Sequence, residues 1–263
     1  FHEREKNLGI TARIYSNMKE WITGRNPVYE VLRANRRQAF QLLIAEGAQV
    51  KGRLDEILQT AKKRNIPIRK SSRRQLDTIT ANHQGIGLQT SGYPYCTIHD
   101  ILDVATNSAE PPLLLILDAL QDPQNMGTLL RSAEAVGVHG ILIPFRRTAS
   151  VTPAVVNASS GASEHLLIAQ ANLAQAISQL KAKGIWVIGL ENTVDAKLPD
   201  QIGLEQPLAL VVGSEGQGLR KLVREACDLI MNLPMRGKIG SLNAAVAGST
   251  ALYFAWKARG FRR

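Results

Sequence analysis

Cysteine is scarce in this chain: Cys96 and Cys227 are the only two in 263 residues. Two thiols without paired spacing exclude a disulfide-built scaffold and fit a reducing compartment, the cytosol. Aromatic residues make up only 5%, and the three tryptophans, Trp21, Trp186 and Trp256, read as packing residues rather than base-stacking platforms. No apolar run approaches the ~18 residues of a membrane span. The opening FHEREKNLGI lacks the apolar core of a signal peptide. The five histidines (His2, His83, His99, His139, His165) have no ligand spacing, so no metal is expected. Neither a G-x-S-x-G elbow nor a P-loop occurs. What remains is ordinary globular composition, 44% apolar and 21% charged, which excludes a disordered or fibrous chain.

Acidic residues are also in the minority. Thirty-two Lys and Arg against 22 Asp and Glu give a net charge of +10, and the pI is near 9.9, the electrostatic footprint of a nucleic-acid binder. Between Lys62 and Arg74 lie seven basic residues and no acid. Four of them, Arg69, Lys70, Arg73 and Arg74, are candidate phosphate contacts.

Hydrophobic patterning divides the chain. Residues 1–20 are polar and read as a flexible tail. Residues 21–98 read as a small α/β domain: a helix over Pro27–Ala34 capped by Asn26, a strand at Phe40–Ala45, a helix over Gly52–Arg64, a strand at Ile66–Ile68, a short helix over Ser72–Ile79 and a strand at Ile86–Gln89. Residues 99–112 read as a linker, because VATNSAEPP is small, polar and closed by two prolines. Residues 113–263 alternate strand and helix. Their strands are continuous apolar runs: Leu113–Leu117, Ile141–Ile143, Leu166–Ala169, Ile185–Leu190, Leu208–Val212 and Leu229–Leu233. Continuous runs predict a mainly parallel sheet covered by helices on both faces. The helices are Met126–Val136, Leu173–Lys183, Leu219–Ala226 and a last one over Ser241–Arg259, crowded with small residues.

Ligands of such sheets sit outside the carboxyl ends of the strands, and three strand ends carry unusual chemistry. After the first comes Asp118-Ala-Leu-Gln-Asp122-Pro123-Gln-Asn125-Met-Gly127-Thr-Leu-Leu-Arg131, with Asn125 at a helix start and Arg131 opposite that helix's apolar stripe. After Leu208–Val212 comes Gly213-Ser-Glu215-Gly216-Gln-Gly218, three glycines around a carboxylate. Its G-x-x-G-x-G order is not the dinucleotide fingerprint. The third is Leu233-Pro234-Met235-Arg236-Gly237-Lys238-Ile239-Gly240-Ser241-Leu242-Asn243, which leads into the last helix with Ser241 as a candidate cap. Each could also be a plain turn and helix cap.

Together the three resemble the SpoU (TrmH-type) family of RNA ribose 2′-O-methyltransferases, within the SPOUT superfamily. Asn125, Gly127 and Arg131 match its first motif. Gly213, Glu215, Gly216 and Gly218 match the second, and Pro234, Met235, Ser241, Leu242 and Asn243 the third. The stretch from Gly24-Arg25-Asn26-Pro27-Val28 is similar to the small L30e-like substrate-binding domain of many members, so Arg25 and Asn26 join the candidate RNA contacts. Within the family the likeness is nearest to the RlmB type, which methylates a guanosine of large-subunit rRNA.

The resemblance implies S-adenosylmethionine as methyl donor, a homodimer, and a trefoil knot in the C-terminal part. It places the cofactor at Leu190, Glu191, Gly213, Gly218, Leu233, Met235 and Leu242, and catalysis at Asn125, Arg131, Glu215, Ser241 and Asn243. Arg131 matches the residue often given as base. A guanidinium gives up its proton only above pH ~12, so binding a phosphate suits it better, and on acidity alone Glu215 is the better base. The sequence leaves that choice open. It also leaves open a tRNA ribose substrate, or a non-catalytic RNA-binding protein that keeps the fold.

Overall fold

A computed structural model describes residues 18–262 of the chain. It divides into two compact units. The first holds the residues up to Pro94 together with 151–165, and the second holds 95–150 and 166–263.

The first unit is built on a four-stranded sheet in the order β1-β4-β2-β3. The strands are β1 (Lys19–Thr23), β2 (Ala39–Ala45), β3 (Ile68–Ser71) and β4 (Ile86–Ser91). β4 runs antiparallel to β1 and β2, whereas β2 and β3 are parallel. Helices α1 (Arg25–Ala34), α2 (Arg53–Lys63) and α3 (Arg73–Asp77) connect them. Two sequence expectations shift here. Residues 1–17 of the expected tail lie outside the described residues, but Lys19 and Glu20 belong to β1, paired with Ser91 and Thr90. The first helix starts at Arg25 after Gly24, not after Asn26. Gly24 sits at φ 85°, which glycine adopts without strain. The third strand also falls later than Ile66–Ile68, since Pro67 donates no ladder bond and pairing starts at Ile68.

The stretch taken as a linker is helical over α4 (Ile98–Thr106). Thr97 and Asp100 form a reciprocal capping box, and Ile101, Leu102 and Ala105 are buried in the core of the second unit. The polar VATNSAEPP masked this helix, because its apolar face lies almost wholly upstream of that tract. The connection that remains is 107–112.

The second unit carries a six-stranded, all-parallel sheet in the order β10-β8-β9-β5-β6-β7. β5 (Leu113–Leu117) leads through α5 (Pro123–Ala135) to β6 (Gly140–Ile143). α6 (Pro153–Ala158) falls in the segment that packs with the first unit. Then come β7 (Ile168–Gln170), α7 (Leu173–Ala182), β8 (Trp186–Leu190), β9 (Leu208–Val212), α8 (Lys221–Ala226), β10 (Leu229–Met231) and α9 (Ala244–Ala258). Every residue of β5 and β9 is buried, as strands covered on both faces must be. On one face α4, α7 and α8 share a core with the sheet. On the other, α9 packs on α5 and β9. Gly248 makes that approach possible, since a methyl there would overlap Leu129 and press on Val212. The cap of α9 is Asn243 rather than Ser241: its Oδ1 accepts from Ala245 N and Val246 N at 2.9 and 3.2 Å. Trp186, expected to pack, is half exposed at the start of β8. Neither cysteine forms a disulfide, and burial pushes the Cys227 thiol up to about 12.

One buried charge cluster fixes 151–165 in the first unit. Arg37 Nε and Nη2 donate to Glu164 at 2.9 Å, and Nη1 donates to Glu20 at 2.9 Å. Burial works to lower the Arg37 pKa, but Glu164 and Glu20 outweigh it and raise it above its usual value. Both Arg37 and Glu164 are almost fully buried, so removing one partner strands a charge. Glu164→Ala is expected to cost about 3 kcal/mol, the low end because Glu20 remains. A thermal melt checks this, and an unshifted melt contradicts it.

Candidate active site

The carboxyl ends of β8, β9 and β10, with the segment 232–243, enclose a cleft of about 830 Å³. All seven residues expected to hold the cofactor line it, as do Glu215, Ser241 and Asn243. Its apolar walls include Leu190, Val212, Met231, Leu233, Met235 and Leu242.

Glycine shapes the floor. Ser214 and Gly218 exchange backbone hydrogen bonds at 3.1 and 3.0 Å, closing a tight turn. A methyl on Gly213 would overlap the Gly218 carbonyl, and Gly218 sits at φ 64° against the Glu191 carboxylate. Glu191 acts there as a strut. Its Oε2 accepts from Arg224 Nε at 2.7 Å, and its Oε1 lies 3.4 Å from Leu219 N. A second strut holds the far end of the turn. Asp118, fully buried at the end of β5, accepts from Arg220 N at 2.8 Å and Arg220 Nε at 2.6 Å. Asn192 Nδ2 donates to the Gly240 carbonyl at 3.1 Å and ties the β8 loop to the third motif.

At the edge of the cleft the three motifs meet. Asn125 Nδ2 donates to Glu215 Oε1 at 2.9 Å. Asn243 Nδ2 donates to Asn125 Oδ1 at 3.0 Å and also to Glu215 Oε1. These residues stand 90 and 118 positions apart from Asn125 in sequence, yet form one hydrogen-bonded triad. Asp122 caps α5 by accepting from Gln124 N and Asn125 N, which fixes the backbone that carries the Asn125 amide.

Other expected site residues lie elsewhere. Arg131 is exposed on α5, outside the cleft lining. Six residues at ~100° each turn it well away from the Asn125 face. In the first unit Arg69 and Lys70 are exposed on β3, which is an edge strand, and Arg73 and Arg74 are exposed on α3 just after it. Asn26 is exposed and Arg25 half-buried at the start of α1, where Arg25 N donates to Gln84 Oε1. Sequence reasoning passed over Asp118, Asn192, Thr193, Arg224 and Asn232. Asp118 alone carried a signal, an acid ending an apolar strand.

Comparison with known proteins defines the class. A model of the SpoU rRNA methylase family matches residues 112–253, and one described as RNA 2′-O ribose methyltransferase substrate binding matches 21–96. Bacillus subtilis YacO, assigned by name to the TrmH family of tRNA/rRNA methyltransferases, is 41% identical over 93% of this chain and 98% of its own. An uncharacterized tRNA/rRNA methyltransferase of Mycolicibacterium vanbaalenii is 45% identical over 89% of this chain and 74% of its own. Among solved structures, the SpoU methyltransferase AviRb from Streptomyces viridochromogenes, in complex with AdoMet, superposes with a TM-score of 0.75 at 23% identity, covering 93% of this chain and 92% of its own. The fold and the full-length relatives thus define an RNA methyltransferase. The chain belongs to the SpoU (TrmH) family.

The cleft fits a ligand of the kind AviRb holds, AdoMet. Its walls are apolar, its glycines admit a ligand to the backbone, and two buried polar atoms in its lining, Thr193 Oγ1 and Asn232 Oδ1, find no partner among the described residues. An orphaned buried polar atom is costly, so a ligand that pairs with it recovers that cost on binding. Thr193→Val and Asn232→Leu are each expected to weaken cofactor binding roughly three- to tenfold while leaving the melt of the cofactor-less protein unchanged or higher. Calorimetry beside a thermal melt checks this. Unchanged affinity would take both atoms out of the site.

Proposed function

We propose that the chain transfers a methyl group to a ribose 2′-hydroxyl, and that its target is a guanosine of large-subunit rRNA. The observation that carries the reading is the triad of Asn125, Glu215 and Asn243 at the edge of a glycine-floored cleft. The match of residues 21–96 to a 2′-O ribose methyltransferase substrate-binding model and the exposed cluster Arg69, Lys70, Arg73 and Arg74 support RNA recognition by the first unit.

S-adenosylmethionine supplies an electrophilic methyl when bound. The residues of this chain must align the hydroxyl and remove its proton. Thr193, Asn232 and the backbone at Gly213, Gly218, Leu233, Met235 and Leu242 hold the cofactor. Two amide donors pin Glu215 Oε1, and the carboxylate takes the hydroxyl proton on its other oxygen, Oε2. Asn125 and Asn243 hold that carboxylate, and Ser241 orients the ribose. Arg131 is turned away from the cleft of its own chain, so its planar fork serves the phosphate beside the ribose held by the second copy of a homodimer. Alignment of this kind contributes several kcal/mol to a displacement.

A homodimer belongs to the same reading. Leu242, Val246 and Tyr253 are exposed at spacings of four and seven along α9 and its lead-in, an apolar stripe suited to a second copy. The reading includes the trefoil knot and a cytosolic location. Among the described residues no helix is long and apolar enough to cross a membrane.

Transfer of tritiated methyl to total rRNA and total tRNA, followed by alkaline digestion, tests the proposal. A 2′-O-methyl removes the nucleophile of alkaline cleavage, so the label is expected in alkali-resistant dinucleotides from rRNA. Label in mononucleotides would place the methyl on a base. Label in tRNA alone would select the tRNA reading, and no label would leave an RNA-binding protein without catalysis. Glu215→Gln is expected to slow single-turnover transfer by ~10²–10⁴ and to flatten its pH dependence, with the melt unchanged. Near-normal transfer would remove Glu215 as the base.

A further inference from the structure

One feature of the second unit lies outside the cleft and the three motifs. After β6 the chain passes buried Pro144 and turns outward through Phe145, Arg146 and Arg147. Phe145 is 57% exposed, and both arginines are exposed. Residues 144–150 contain no acid. Among the described residues Phe145 is the most exposed aromatic ring, ahead of Trp186, Phe261 and Tyr253, and it stands beside two guanidinium groups.

The tip is braced. Arg147 adopts φ 62°, a left-handed backbone uncommon for any residue with a side chain. Thr148 Oγ1 and Ala149 N both donate to the Leu120 carbonyl, at 3.0 and 2.8 Å. Leu120 is buried and stands two residues before Asp122, the cap of α5, whose first turn presents Asn125. β6 also lies directly beside β5 in parallel register, so both strands deliver their loops to the same edge of the sheet. The Phe145 tip is therefore fixed to the loop that leads into α5, whose first turn carries one member of the triad.

We infer that Phe145, Arg146 and Arg147 dock a nucleotide flanking the one that is modified. The ring stacks on an unpaired base, and the two guanidinium groups take the adjoining phosphates. Every base has a π-face, so stacking tolerates sequence while demanding that the base be unpaired. In A-form duplex the bases are stacked on one another and withheld from such a ring. The tip thus selects single-stranded or looped RNA around the target. This rests on the reading of the chain as an RNA ribose methyltransferase and adds a structural requirement on its substrate.

The test uses the full chain with short fluorescent oligoribonucleotides, one single-stranded and one duplex, in anisotropy titrations across salt concentrations. Phe145→Ala is expected to weaken single-strand binding about tenfold, leave duplex binding and the salt slope unchanged, and be rescued by Phe145→Trp. Arg146→Ala and Arg147→Ala are each expected to lower the single-strand salt slope by about 0.7. Cofactor affinity stays unchanged in all of them. Equal binding by wild type and Phe145→Ala overturns the inference. So does a change in sedimentation on Phe145→Ala, because the ring then covers a second copy of the chain. Wild type that binds neither oligonucleotide also overturns it, and the ribose-transfer reading falls with it only if methyl transfer to rRNA is absent too.

Discussion

The side-chain amide of Asn243 is the point on which this active site depends. Its oxygen caps α9 by accepting from Ala245 N and Val246 N, and its nitrogen donates to Asn125 and Glu215. One amide thus couples the start of the last helix to the loops after β5 and β9. Because α9 is packed against α5 and β9, the amide is held from behind by the core. The irregular segment 232–243 ends at a fixed point, and the cleft it lines acquires a defined edge.

The rest of the site follows from keeping charge and backbone in place around that edge. Two ion pairs, Arg220 with Asp118 and Arg224 with Glu191, hold the two ends of the region that follows the glycine turn. Asp118 is completely buried and accepts both a backbone N–H and a guanidinium N–H, so its charge is compensated where an unpaired one would be costly. The glycines permit what the ion pairs enforce. No side chain fits at Gly213 while Ser214 and Gly218 stay bonded, and one at Gly218 would strain its left-handed backbone and press on the Glu191 carboxylate. The cleft is therefore preorganised, which suits a displacement whose catalysis is mainly alignment.

Much of this was legible in the chain. The parallel sheet followed from apolar runs of three to six residues, and β5 and β9 fall where two of those runs lie. The cleft-lining residues of the second and third motifs were reachable because strand ends in such sheets face the ligand, and the family resemblance added Leu190 and Glu191. What escaped detection has physical causes. The α4 helix was hidden because its capping box, Thr97 and Asp100, precedes a tract of linker composition. β1 was missed because Lys19 and Glu20 are polar, and its pairing with β4 is a tertiary fact. Asn243 displaces Ser241 as cap because the helix starts at Ala244, three residues later than the predicted start at Ser241. Thr193 and Asn232 are ordinary polar residues in sequence, and only burial without partners singles them out. The grouping of 151–165 with the first unit is carried by the Arg37–Glu164 pair, which spans 127 positions and leaves no local pattern.

The central claim is that Asn125 and Asn243 act as one unit in placing Glu215, and a double-mutant cycle on single-turnover methyl transfer tests it most directly. Asn243→Ser keeps an oxygen able to cap α9 and removes the amide donor, while Asn125→Ala removes its partner. The account predicts that the double variant is hardly slower than the slower single one, since either change already breaks the triad. Strictly additive losses in the barrier would contradict it and would make the two asparagines independent contributors.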